Sequence, residues 1–155
     1  MTNLHFDESL VTIFDDEGLD TYSVEESLAR SLFEGDWVQE SYPAALHERE
    51  KDFPTALDVG GGINVAIPHC DVEHVKRGAL CVGVLKHPVP WKCMDDPNKT
   101  CEVSLVVMLA LDEAHAHLEM LQKVISLIQD QETVSRIIAC NDSHSAYELL
   151  KKFLS

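Results

Sequence analysis

Eight histidines stand out among the side chains of this sequence that could carry chemistry. His69 has the most telling position. It follows Ile63-Asn64-Val65-Ala66-Ile67, which reads as a short strand, and Pro68, whose ring fixes the backbone direction. A side chain at a rigid strand end can face a cleft, as sites in α/β proteins do. A neutral imidazole is a good nucleophile near pH 7. It can attack phosphorus and form a phosphoramidate that still transfers to another nucleophile. Such a transfer needs donors placed around three equatorial oxygens. Candidates are His115 and His117 at the start of a helix, the Arg49 guanidinium, and the Thr55 hydroxyl.

Each candidate also has an ordinary reading. Arg49 can pair with Glu50 or an acid one turn away, which contributes little on a surface. His115 and His117 can be exposed helix-start residues. Cys70 next to His69 suggests a thiol–imidazole pair, but neighbours on an extended segment point to opposite faces. His74 could join His69 on a metal, yet no carboxylate or thiol falls at a suitable spacing. A P-loop, a dinucleotide-binding glycine motif, a G-x-S-x-G elbow and C-x-x-C or H-E-x-x-H patterns are all absent. The expectation is a site with no metal and no cofactor.

Positioning His69 requires a scaffold, and the pattern supplies one. Ser23-Val24-Glu25-Glu26 is a capping-box pattern that opens a helix over about Val24–Phe33, stopping near Gly35. A second helix starts near Ser41, takes Pro43 in its first turn, carries Arg49 and ends at Pro54. Asp58-Val59-Gly60-Gly61-Gly62 reads as a flexible loop whose glycines leave room for a partner's backbone. Ala79–Lys86 is β-rich, Pro88–Trp91 follows, and Asp95–Lys99 is a polar hairpin-like loop. Glu102–Leu111 reads as a central strand covered on both faces. Leu118, Leu121, Ile125 and Ile128 give a helical stripe over Ala114–Gln129. Two more helices are expected at Glu132–Ala139 and Ser143–Phe153, with Ser143 as N-cap. The fold class is α/β: one domain over residues 1–155, a mixed β-sheet flanked by helices on both faces.

Composition sets further bounds. The 155 residues suit one core, and 45% apolar with 25% charged residues is ordinary for a globular protein. The formal charge is −15, with 15 acids against 3 bases in residues 1–58. That balance argues against nucleic acid and suits a basic protein partner. Five cysteines without close pairing fit reduced thiols. The longest apolar run, Val103–Leu111, is about half a membrane span, and the N-terminus has acids where a signal peptide has bases. A cytoplasmic protein with no direct membrane insertion is expected.

The run from His47 to His74, HEREKDFPTALDVGGGINVAIPHCDVEH, resembles the mannitol/fructose class of phosphotransferase-system (PTS) enzyme IIA domains. The shared pattern is Arg-Glu, Pro-Thr, a Gly-containing loop and Ala-Ile-Pro-His, and it extends to Val103–Leu111 and His117-Leu118. Within the class the galactitol branch is nearest, through Phe53-Pro54-Thr55, Ile67–Cys70 with His74, Val103–Val106 and the opening Met1-Thr2-Asn3-Leu4. The resemblance implies a phosphoryl carrier with a phosphohistidine intermediate. His69 matches the phosphorylated histidine, His117 the second active-site histidine, Arg49 the arginine that holds the phosphoryl group, and Thr55 a phosphate contact. The implied partners are HPr as donor, enzyme IIB as acceptor and, indirectly, a membrane IIC permease. The loop at Asp58–Asn64 departs from the Gly-Asn-Gly type of many relatives. A regulatory homologue, an inert interaction module and a metal-dependent hydrolase are the alternatives.

Overall fold

The computed structural model describes residues 4–154. The opening Met1-Thr2-Asn3, part of the resemblance, lies outside the described residues. Five strands form one sheet in the order β1-β4-β5-β3-β2: β1 (Val11–Phe14), β2 (Ala56–Leu57), β3 (Asn64–Ala66), β4 (Ala79–Lys92) and β5 (Thr100–Ala110). β1 runs parallel to β4 and β3 parallel to β5, while β4–β5 and β2–β3 are antiparallel. The sheet is therefore mixed, as the sequence predicts.

The strand sequences explain the burial. Ala79 to Leu85 in β4 and Leu105 to Ala110 in β5 are buried at every position, which requires cover on both faces. Helices α1 (Thr21–Glu34) and α2 (Tyr42–Asp52) supply one layer, with Val24, Leu28, Leu32 and Leu46 fully buried against the sheet. Helices α3 (Ala116–Gln129), α4 (Gln131–Ala139) and α5 (Ser143–Leu154) supply the other. Among the described residues no helix is long and apolar enough to cross a membrane.

Several expectations are corrected in detail. Helix α1 begins before Val24, because Asp20 is its cap. The Asp20 carboxylate accepts from the Ser23 amide at 2.8 Å and the Ser23 hydroxyl accepts from the Asp20 amide at 3.0 Å. Ser143 does not cap α5 with its side chain. Its hydroxyl donates to the Val11 carbonyl at 2.7 Å, while the Asp142 carboxylate accepts from the Ser145 amide at 2.7 Å. Asp offers two acceptor oxygens and a charge that suits a helix N-terminus, so it outcompetes a nearby Ser. The stripe on α3 also shifts. Ala116, Met120, Val124 and Leu127 face the core, Ile128 packs at its margin, and Leu118 and Ile125 are exposed. The helix is apolar on most sides, so two stripes satisfy the same spacing.

The segments Ala79–Lys86 and Pro88–Trp91 are one strand. Val84 pairs with Leu105 and Val89 with Val103, so four residues, Leu85 to Pro88, bulge opposite one. Strand β1, over Val11-Thr12-Ile13-Phe14, was not anticipated.

Candidate active site

β3 lies beside the buried β5, and the chain leaves it through Ile67-Pro68 at the edge of the α1–α2 layer. Two backbone bonds fix this exit: the Ile67 amide donates to the Thr55 carbonyl at 3.1 Å, and the Leu109 amide to the Pro68 carbonyl at 2.9 Å. His69 follows immediately. Its Nδ1 lies 2.9 Å from the Ile67 carbonyl oxygen. A carbonyl only accepts, so Nδ1 carries the proton and the lone pair sits on Nε2. Burial lowers the His69 pKa below its ordinary value, and the nearby His117 and Arg49 lower it further, against the opposing Ile67 hydrogen bond. The ring is thereby kept neutral and nucleophilic.

His69 opens into a cleft of about 510 Å³ lined also by Arg49, Asp71, Val72, Leu111 and His117. The His69 and His117 rings meet edge to face, with centroids 4.7 Å apart and planes inclined by 61°. His117 sits in the first turn of α3, whose positive dipole end favours an anion nearby, although the Ala116 and His117 amides already donate to the Glu113 and Ala114 carbonyls. Arg49 comes from the last turn of α2. Its guanidinium lies 3.5 Å from the Asp71 carboxylate and over the Phe53 ring, while its Nε is buried without a partner. One face of the cleft is apolar, through Val72, Leu111 and Ala114.

The structure thus brings His69, His117 and Arg49 together. The other candidates go elsewhere. His115 pairs with Glu113 at 2.9 Å and is exposed. The ordinary reading of Arg49, a pairing with Glu50, is not what forms; its partner is Asp71. Thr55 is corrected: it is buried, does not line the cleft, and gives both its amide and its hydroxyl to the Glu50 carboxyl, each at 2.8 Å. A hydroxyl already donating to a buried acid acts beneath the site rather than in it. Cys70 is buried and its thiol is pushed up to about 12 by that burial, so it offers no thiolate. His74 accepts or shares a proton with the Ser41 hydroxyl at 2.8 Å, anchoring the loop after His69 to the start of α2. Among the described residues no group of three His, Cys, Asp or Glu side chains is arranged to hold a metal ion.

The glycine loop is a further correction. Gly60 and Gly61 take positive φ values of 69° and 102°, but they precede β3, whereas His69 follows it. The loop is tied to α4, where the Gln131 side-chain oxygen accepts from the Ile63 amide at 2.7 Å. It lies at the other end of β3 from His69 in sequence, with Gly60 and Gly61 facing open space. Asp71, Val72, Glu73 and Leu111 were cleft residues that sequence reasoning missed. Asp71 was findable, as the first acid after His69 on a chain that must turn back.

Comparison with known proteins gives the family and the fold. Residues 4–153 match the family model described as "Phosphoenolpyruvate-dependent sugar phosphotransferase system, EIIA 2". The chain is 30% identical over 138 residues to the galactitol-specific EIIA component of the PTS of Escherichia coli K12, covering 89% of this chain and 87% of that one. It is 37% identical over 90 residues to the transcriptional regulator ManR of Bacillus subtilis, which covers 58% of this chain but 12% of the regulator. The fold superposes on IIA of the Escherichia coli mannitol system, solved in complex with phosphorylated IIB, at a TM-score of 0.77, 18% identity, and coverage of 97% and 99%.

Proposed function

The chain belongs to the EIIA 2 family of the phosphoenolpyruvate-dependent sugar phosphotransferase system, and from that membership we propose that it is a cytoplasmic phosphoryl carrier working through His69. EIIA components are phosphotransferases with a phosphohistidine intermediate. The observation that carries the assignment to His69 is its hydrogen bond from Nδ1 to the Ile67 carbonyl, which leaves Nε2 as a free nucleophile in a cleft shared with His117 and Arg49.

The cycle has two transfers. Phosphorylated HPr docks over the cleft, and His69 Nε2 attacks its phosphorus as the bond to the donor imidazole breaks. The donor ring leaves with the electron pair of that bond. The charge spread over the transferring group is met by the Arg49 guanidinium, a His117 ring N–H and the N-terminal turn of α3. Arg49 exchanges Asp71 for the incoming phosphoryl oxygens. The phosphoryl group then passes to a cysteine thiolate of an enzyme IIB. Val72, Leu111 and Ala114 keep water from the phosphoramidate. The similarity to the galactitol-specific component supports galactitol or a related polyol as the sugar of the pathway. The sugar itself meets the IIB and IIC proteins, not this chain.

A regulatory role is the second reading, favoured by the match to ManR. One assay decides between them. With phosphoenolpyruvate, enzyme I and HPr, the protein takes up an acid-labile, base-stable phosphate, and a galactitol-type IIB discharges it. His69→Ala takes none. Uptake with no discharge to IIB favours the regulatory reading; uptake by His69→Ala equal to the parent overturns both.

A further inference from the structure

Beneath the cleft lies a second group of titratable side chains that the transfer does not use. Glu50, next to Arg49 on α2, is buried and accepts three hydrogen bonds: from the Thr55 amide at 2.8 Å, the Thr55 hydroxyl at 2.8 Å and the Trp91 indole N–H at 3.1 Å. The Glu25 carboxyl on α1, 1% exposed, lines the same cavity and lies close enough to raise the Glu50 pKa. Two carboxylates can only accept, so a bond between them requires a proton on one. Glu25 Oε2 is buried with no hydrogen-bond partner, and Oε1 has only the His47 ring at 3.3 Å. Two buried like charges at that separation would be costly, and holding one proton between them removes the cost.

This pair is connected to the reacting atom. Glu50 holds the Thr55 amide, the Thr55 carbonyl holds the Ile67 amide, and the Ile67 carbonyl holds His69 Nδ1. Glu50 also precedes the Phe53 turn that closes α2, where the Phe53 amide donates to the Arg49 carbonyl at 2.7 Å. One buried carboxyl therefore braces the strand exit that aims His69. The pair is not sealed. A cavity of about 530 Å³ between α1, α2 and the end of β4 reaches both carboxyls, giving a path for proton exchange. The charged and titratable groups lining it are Tyr22 from α1, His47, Glu48 and Lys51 from α2, and Lys92 from β4, with Glu26 paired to His47 and the buried Tyr42 near Glu25 behind them.

We propose that Glu50 is a positioning residue for phosphoryl transfer at His69, and that it shares one proton with Glu25 whose loss disengages it from Thr55. The proposal rests on the reading of His69 as the phosphoryl acceptor. When the proton leaves, two carboxylates face each other, the repulsion pulls Glu50 from its three donors, and the Thr55–Ile67–His69 brace loosens. Burial pushes Glu25 up to about 7 and Glu50, further raised by Glu25, up to about 9. The loss therefore falls on the alkaline side of neutrality, where phosphohistidine is stable.

The test has two arms. In the first, the Trp91 indole resonance is followed by ¹⁵N–¹H correlation NMR between about pH 7 and about pH 10. It moves with a step in the parent, and Glu25→Gln removes the step, because the amide donates permanently to Glu50. In the second, the initial rate of phosphoryl uptake from phosphorylated HPr is measured over the same range. The parent slows as the indole steps, by on the order of tenfold for a misplaced nucleophile, whereas Glu25→Gln shows no such fall. Glu50→Ala, which removes the acceptor of all three bonds, is slow at every pH; should it fail to fold, the Glu25→Gln comparison alone decides. A flat indole resonance, a step unchanged in Glu25→Gln, or an equal alkaline fall in both proteins overturns the proposal. If neither protein takes phosphate, the His69 reading fails instead, while the indole arm still decides whether the proton is shared.

Discussion

At the scale of the residue, His69 and His117 divide the work by position. In the proposed transfer His69, oriented by a backbone carbonyl and partly buried, is the attacking group. His117 meets it edge-on from a helix start, where a ring N–H can reach the phosphoryl oxygens. Replacing His117 by Ala removes one donor to a charge that peaks during transfer. Phosphoryl uptake on His69 should slow by about 10²-fold, typical of one such donor, while the final extent of labelling stays the same. Rapid-quench labelling measures both, and an unchanged rate shows that His117 is a spectator. Much of this was legible in the sequence, because Pro68 and the preceding strand mark His69 as a strand-end residue and His117 begins a helix. Thr55 was not legible. Its neighbours in sequence give no hint that a buried acid five residues earlier would take both its amide and its hydroxyl.

Legibility at the scale of the element follows how local the deciding interaction is. Helix α2 reads correctly because Pro43 and Pro54 bound it through their own geometry. Strand β5 reads correctly because a continuous apolar run has few other uses. The start of α1 was misplaced because Asp20 and Ser23 both sit at cap-competent positions, and only their reciprocal bonds select Asp20. Strand β1 was missed because four residues pair in parallel with Val82–Leu85, some seventy residues away, which no local period reveals. The glycine loop was misjudged for the same reason. Its flexibility is a property of its residues, but its anchoring to Gln131 is a long-range contact. Elements fixed by their own residues were visible; those fixed by distant partners were not.

The whole molecule inherits a pH dependence from its buried acids. Glu25 and Glu50 titrate at about 7 and about 9 in the fold, against about 4.3 for an unfolded Glu. Between those values the native state holds more protons than the unfolded state, so stability falls as pH rises. His69 works in the opposite sense. Its lowered pKa means the unfolded chain takes up the proton first, so stability is lost as pH falls below about 6.5. Because two raised carboxyls outweigh one lowered imidazole, thermal melting should decline from about pH 5 toward about pH 9, and decline less steeply in Glu25→Gln. Calorimetric melting temperatures across this range check it, and parallel slopes in the two proteins would show that the pair is not the cause.

The central claim is that Nε2 of one imidazole, freed by the bond from Nδ1 to Ile67, carries the phosphoryl group. The most direct measurement labels the histidines with ¹⁵N, charges the protein from phosphorylated HPr, and locates the new bond by long-range ¹⁵N–¹H correlation. A single phosphoramidate on His69 Nε2 is the predicted result. Phosphate on His69 Nδ1, on His117 or on any other residue would contradict it.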